Sequence, residues 1–192
     1  MLPAKAAGAR VPCDVPAGRR KVSCGISSYM FPQSEALVRT AFARVIRELN
    51  ALPRSRASYG WIHADLNHDN LFFDDGRLVV FDFDDCCFCW FAYDLAVAIY
   101  HLPASETQSA TNANAQRAFR WLLRGYGRVA QFDPEWLEWV PLFLRWRDLL
   151  IYGFFYEQLE IDSLPELFRK KFVAMRERIE LGRPIADISG IR

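Results

Sequence analysis

Two stretches gather the residue types that move protons and hold cations: His63-Ala-Asp65-Leu-Asn-His-Asp-Asn70 and Val80-Phe-Asp82-Phe-Asp84-Asp85. Asp65 supplies a carboxylate, and Asn70, five residues on, supplies a neutral amide oxygen. Asp82 adds a second carboxylate. A carboxylate and an amide oxygen brought together suit Mg²⁺, a hard cation that takes oxygen ligands and keeps other positions for water and phosphate oxygens. Asp65 then stays free to accept a proton from an attacking hydroxyl. Phosphoryl transfer needs these parts: an oriented nucleophile and a charge-neutralising metal, with little covalent chemistry for the protein itself.

Particular elements must bring these groups together. Tyr59-Gly-Trp-Ile-His63 reads as a short buried strand leading into the loop that holds Asp65. Leu71-Phe-Phe73 and Leu78-Val-Val-Phe-Asp82 flank Asp74-Asp-Gly76, a hairpin signal because Asp-Gly supplies the positive φ such a turn needs. The hairpin returns the chain so that Asp82 ends its second strand beside the Asp65 loop. Upstream, Leu37, Val38, Ala41, Phe42, Val45, Leu49 and Leu52 recur at helical spacing, with Ser34 as N-cap and Pro53 as the stop.

Downstream everything reads as helix. Phe91 to His101 forms one, closed by Pro103, and Thr107 to Tyr126 another, with Ala115, Phe119, Leu122, Leu123 and Tyr126 facing inward. Asp133-Pro134 opens a long helix that Pro141 should break or kink near its start. Ser163-Leu-Pro-Glu166 has the form of a capping box, and its helix ends at Gly182. The expected domains are an irregular segment over 1–32, a folded unit over 33–185 and a tail over 186–192.

Composition narrows the class. The chain has 192 residues, 52% apolar and 24% charged, with net charge +1. That excludes a disordered chain and gives no electrostatic signal for nucleic acid or an anionic membrane. No run approaches the roughly 18 apolar residues of a membrane span. Met1 to Val11 has no secretory apolar core, and the odd set Cys13, Cys24, Cys86, Cys87 and Cys89 suits free thiols in a reducing cytoplasm. Twenty of the basic residues are arginine, and the four lysines are Lys5, Lys21, Lys170 and Lys171.

His63-x-Asp65-x-x-x-x-Asn70 followed by Asp82-Phe-Asp84 resembles the catalytic loop and metal-binding segment of kinases. It is more similar to the aminoglycoside phosphotransferase and choline-kinase-like superfamily, including its homoserine-kinase-like branch. Asp94-Leu-Ala96 fits too, since that family places such a helix after the metal aspartate. The likeness is good from Tyr59 to Ala98 and holds in outline beyond. It implies an α+β, mainly helical, protein-kinase-like C-terminal lobe with a small β-hairpin at the catalytic loop. It implies ATP and Mg²⁺ as cofactors and a small-molecule hydroxyl as acceptor. Asp65 would be the catalytic base, Asn70 and Asp82 the metal and nucleotide ligands, and Asp84 a neighbour of the second metal or the substrate. Asp94 would anchor the loop, and His63 would be a structural member of the catalytic set rather than a proton carrier.

Departures from the family pattern carry expectations of their own. Ala64 replaces the usual glycine, so the loop should keep ordinary φ/ψ there. Cys87 and Cys89 stand where relatives tend to have small residues, and Asn67-His68 is atypical. The family's N-terminal lobe of five strands and a helix needs roughly 60 residues. Only about 32 precede the first helix here, so the chain reads as the C-terminal lobe without its N-terminal partner, open to self-association or to a separately supplied lobe. A catalytically silent pseudokinase acting as a binding module is the alternative, with an exposed apolar face where the missing lobe would dock. His63, Asp65 and His68 give a remote zinc-hydrolase reading. Cys86-Cys-Phe-Cys89 and the aromatics from Trp136 to Phe155 read as core, and Asp94 also reads as the cap of its own helix.

Overall fold

The computed structural model describes residues 31–102, 107–189 and 191. The first helix, α1, runs Ala36–Ala51 and buries Val38, Ala41, Phe42, Val45, Ile46 and Leu49, the stripe that its periodicity dictates. Leu37 is the exception and lies exposed. Its N-cap is Glu35, not Ser34, and Glu35 makes no capping bond. Its carboxylate turns inward instead, accepting from the hydroxyls of Tyr152 and Tyr156 at 3.1 Å each and pairing with Arg176 at 3.2 Å. A buried carboxylate needs such partners, and this need overrides local capping.

Four short strands follow, paired as two antiparallel ribbons. β1 (Tyr59–Ile62) pairs with β4 (Cys87–Trp90), and β2 (Leu71–Asp74) with β3 (Arg77–Val80). The β2–β3 turn places both Asp75 and Gly76 at positive φ, the conformation that makes Asp-Gly a hairpin signal. β4 is not apparent from the sequence. Its register sets Cys87 opposite Ile62 and Cys89 opposite Gly60, with both cysteines fully buried. Neither cysteine is in a disulfide, and both fill space as small apolar groups. Gly60 is required here, because a Cβ on it would lie 2.9 Å from the Phe91 ring.

α2 (Phe91–Tyr100) leaves the end of β4 and is buried almost throughout. Pro103, expected to close it, lies outside the described residues, as does most of the 1–32 segment. α3 (Gln108–Tyr126) is capped by Thr107, whose side chain accepts from Ala110 N–H at 3.2 Å. Only Ala115 and Phe119 of this long helix are fully buried. The long helix expected from Asp133 is two pieces, a 3₁₀ segment Pro134–Trp139 and then α4 (Val140–Gln158). Pro141 sits in the first turn of α4, where its missing N–H costs nothing, so the break falls just before it. The expected capping box does not form. Ser163 Oγ donates to Glu160 O at 2.7 Å, and α5 (Glu166–Leu181) starts behind Pro165 without a side-chain cap. α5 ends at Gly182 with φ 65°.

Residues after α5 fold back. Ala186, Ile188 and Ile191 are buried, and Asn112 Oδ1 accepts from Asp187 N–H at 2.9 Å while Gln116 Nε2 donates to Asp187 O at 3.2 Å. The centre of the core is α2 against α4, with Tyr93 and Trp146 rings 4.5 Å apart. Of the aromatics read as core, Phe143 and Trp146 are fully buried, whereas Trp139 and Phe154 are more than a third exposed.

Arg145 to Asp148 project from α4 in different directions. Arg145 pairs with Glu48 of α1 at 2.7 Å. Asp148 is fully buried, accepting from Tyr100 of α2 at 2.7 Å and from Arg178 of α5 at 2.6 Å. Removing one partner of a buried pair strands the other charge. Arg178→Met is therefore expected to lower unfolding free energy by about 3 kcal/mol in urea denaturation. Tyr100→Phe, which leaves the ion pair intact, should cost only about 1 kcal/mol.

Candidate active site

The loop after β1 is shaped by a carboxylate on α2. Asp94 Oδ2 accepts from His63 N–H at 2.9 Å, and Oδ1 accepts from Ala64 N–H at 2.7 Å. Strand pairing therefore stops at Ile62 and not at His63. The two bonds turn the chain sharply, and Ala64 takes φ +67°. The sequence expectation of ordinary φ/ψ at Ala64 is thus wrong: the position keeps the left-handed backbone that glycine adopts freely, although it carries a Cβ. Such a residue costs roughly 1–2 kcal/mol, offset here by the Asp94 bonds. Burial pushes the Asp94 carboxyl above its usual range, and the two N–H donors pull against that push.

Asp65 follows at once. Asn70 Nδ2 donates to Asp65 Oδ2 at 2.9 Å and to its backbone oxygen at 2.8 Å. Asn67, atypical by sequence, stiffens the same turn by accepting from Asp69 N–H at 2.8 Å and donating to Asp65 O at 3.2 Å. His63 uses both ring nitrogens. Nδ1 accepts from Asp65 N–H at 3.3 Å, so Nε2 carries the proton and donates to Phe81 O at 2.9 Å. Both sides of the imidazole are committed to backbone.

Phe81 joins the hairpin to this loop. Its N–H donates to Asn70 O at 3.2 Å, and its carbonyl takes the His63 bond. Asp82 comes next, in left-handed conformation at φ 59°, exposed and making no capping bond to the 3₁₀ turn Phe83–Asp85 that it opens. Asp84 is exposed within that turn. His63, Asp65, Asn70 and Asp94 therefore form one hydrogen-bonded unit, Asp82 is tethered to it through Phe81, and Asp84 stands further out.

Among the described residues no group of three or more His, Cys, Asp or Glu is gathered as a metal centre. The zinc reading of His63, Asp65 and His68 thus lacks a ligand set. His68 is exposed against Asp69 at 3.3 Å, and His63 has no free nitrogen.

The sequence reading missed Arg147 and His101. Arg147 Nη2 forms an ion pair with Asp65 Oδ1 and lies 3.0 Å from His101 Nε2, and its Nη1 donates to Ala64 O at 3.4 Å. Burial alone would lower the guanidinium, but Tyr93 and Asp65 outweigh it and raise Arg147 above its ordinary value. The available signal was an arginine at helical spacing between Phe143 and Leu150, on a face otherwise apolar. A charge placed there must have a partner.

Burial, followed by the Arg147 charge, lowers His101 from 6.5 to about 4. The neutral ring can then accept a hydrogen bond from Arg147 Nη2. Between the two values the unfolded state binds the extra proton, so stability rises with pH across this window and is lost as pH falls from 6.5 towards 4. His101 is partly solvated, which reduces the effect to about 1–2 kcal/mol. Urea titrations across this window should show the wild type losing that much more than His101→Gln. Ala64 gives a second expectation. Ala64→Gly should be neutral within about 1 kcal/mol, because relief of φ strain offsets the added chain entropy. Ala96→Gly in α2 should cost about 1 kcal/mol or more.

Residues 15–132 match the family model APH, the phosphotransferase enzyme family. Amicoumacin kinase of Bacillus subtilis (strain 168) is 31% identical over 160 residues, 80% of this chain and 46% of that protein. Homoserine kinase of Pseudomonas aeruginosa (strain LESB58) is 31% identical over 165 residues, 80% of this chain and 49% of that protein. A solved structure of amicoumacin kinase hAmiN, in complex with AMP-PNP, Ca²⁺ and Ami, superposes with TM-score 0.73 at 28% identity, covering 84% of this chain and 50% of that one. A microcompartment-associated aminopropanol kinase shares the fold, with TM-score 0.57 at 23% identity over 78% of this chain and 44% of that one. The chain spans about half the length of the relatives it matches. On the family match, and with a mainly helical architecture equal to about half of those kinases, the chain belongs to the APH phosphotransferase family.

Proposed function

We propose that this chain carries the catalytic loop of an ATP- and Mg²⁺-dependent kinase that phosphorylates a hydroxyl of a small molecule. One observation carries the reading: the Asp65 carboxylate and the Asn70 amide are locked together at 2.9 Å on a loop shaped by Asp94. The residue before Asp82, Phe81, is bonded to Asn70 O at 3.2 Å, which supports bringing Asp82 to the same site.

The donor set suits a hard divalent cation. Asn70 spends its Nδ2–H groups on Asp65, which turns its Oδ1 to ligand duty. Asp82 offers an exposed carboxylate free of any capping bond. Asn70 and Asp82 would hold Mg²⁺, with Asp84 next to a second ion or the substrate. The bound ion would neutralise charge on the phosphate oxygens. Asp65 would orient the acceptor alcohol and take its proton as the oxygen forms a bond to the γ-phosphorus. The bond from that phosphorus to the bridging oxygen breaks, and ADP leaves.

Relatives named for amicoumacin, homoserine and aminopropanol make hydroxylated amines and amino acids the first acceptors to try. Among the described residues no helix is long and apolar enough to cross a membrane, and a cytoplasmic setting would supply ATP.

A second reading has its own support. Trp61, Phe72, Phe73, Leu78, Phe81 and Phe83 are each more than 40% exposed on the strands and turns around the loop. Apolar surface so concentrated marks an interaction site. The chain would then be a silent pseudokinase or binding module, or a lobe completed by a partner, and it would bind nucleotide or protein without turnover.

The test is to incubate the purified chain with ATP, Mg²⁺ and a panel of amino alcohols and follow phosphate transfer. Activity is expected to fall about 10²–10⁴-fold in Asp65→Asn. Asp82→Ala is expected to abolish Mg²⁺-dependent nucleotide binding in calorimetry. A folded chain that turns over no more ATP than Asp82→Ala rules out the active-kinase reading. Retained nucleotide binding in that case supports the silent module.

A further inference from the structure

We propose that Arg147 is the positioning residue of the base: it fixes the Asp65 carboxylate from the side opposite Asn70, with His101 holding the guanidinium in place. This rests on the assignment of Asp65 as the base.

The geometry is a two-point grip. Asp65 Oδ1 faces Arg147 Nη2, and Oδ2 faces Asn70 Nδ2 at 2.9 Å. Rotating the carboxylate about its own bond would break both contacts. The lone pairs left over are thereby aimed in one direction. Asn70 belongs to the same loop and moves with Asp65. Arg147 does not: it stands on α4, 82 residues away in sequence, and is 93% buried. It is the direct side-chain tie between the base and the rigid helical core.

Both terminal nitrogens of Arg147 serve this role, while its buried Nε has no hydrogen-bond partner among the described residues. Nη1 reaches the carbonyl of Ala64, the left-handed residue just before the base. Nη2 also meets His101 Nε2 at 3.0 Å, and a neutral imidazole is the acceptor that this bond demands. His101 sits at the C-cap of α2, the helix that also carries Asp94. Two residues tied to α2 therefore determine where the loop backbone and the base carboxylate lie. A residue retained for stability alone is poorly served by a buried guanidinium, since an apolar side chain of similar size packs as well without desolvating a charge.

Arg147→Met keeps the apolar stem and removes the fork. Arg145→Met, which touches Glu48 and not the loop, is the control. Positioning predicts that Arg147→Met lowers kcat about 10²-fold while the acceptor KM and Mg²⁺-nucleotide affinity stay near wild type. Arg147→Lys should recover part of the loss, and added guanidinium ion should raise the activity of Arg147→Ala but not of the wild type. Amide hydrogen exchange over residues 63–70 should quicken in Arg147→Met and not in Arg145→Met. A lower melting temperature with unchanged kcat and unchanged loop exchange would overturn the proposal. If the wild type itself shows no turnover, the kinase reading fails separately. Loop exchange then decides: selective quickening in Arg147→Met upholds the grip, and none refutes it.

Discussion

A single carboxylate on α2 sets the course of the chain through the site. Asp94 takes the N–H groups of His63 and Ala64, which neither strand pairing nor helix formation would otherwise satisfy. That double acceptance ends β1, forces Ala64 into left-handed space and projects Asp65 off the strand. Asn67, Asn70 and Phe81 then close the turn around Asp65 by short-range bonds. Without the α2 carboxylate, the loop would have no reason to hold a conformation that costs an alanine strain.

Fixing the loop backbone does not fix the loop against the helices, and α4 supplies that link. Four consecutive residues, Arg145 to Asp148, reach α1, the α2 ring stack, the Asp65 loop and the α5 brace. The deep charges of Arg147 and Asp148 are tolerated because each pairs with its opposite, Asp65 and Arg178, although Trp146 Nε1 and Arg147 Nε find no hydrogen-bond partner among the described residues. The outcome is a lobe whose Asp65 loop is tied to the helical core while the β2–β3 hairpin beside it exposes Phe72, Phe73 and Leu78.

The loop, the hairpin and most helices were legible in the sequence, because each rests on local chemistry. Asp-Gly demands positive φ, Thr107 caps the residues beside it, and the α1 stripe repeats with the helix. Most of the misreadings share a cause, a distant partner overriding a local rule; Ser163 is the exception, taken by a bond only three residues back. Glu35 answers to two tyrosines and an arginine, so Ser34 is no cap. Ser163 bonds back to Glu160 and leaves the capping box empty. β4 hides in a cysteine run because its identity comes from pairing with β1, and Ala64 bends because Asp94 lies across from it. Arg147 was invisible as a site residue because its partner is 82 positions away. Only its charge on an apolar helix face announced that a partner must exist.

The segment after α5 bears on the order in which the molecule can assemble. α3 buries little of its own length, and an isolated helix of that kind has scant stability in water. Its side chains Asn112 and Gln116 reach across to Asp187 and Ser189, and Ile188 and Ile191 are buried beyond them. During synthesis the middle of the chain must therefore wait, incompletely consolidated, for residues made 75 positions later. A ribosome paused before that point would display a lobe with its Asp65 loop already made but its outer helix still fraying.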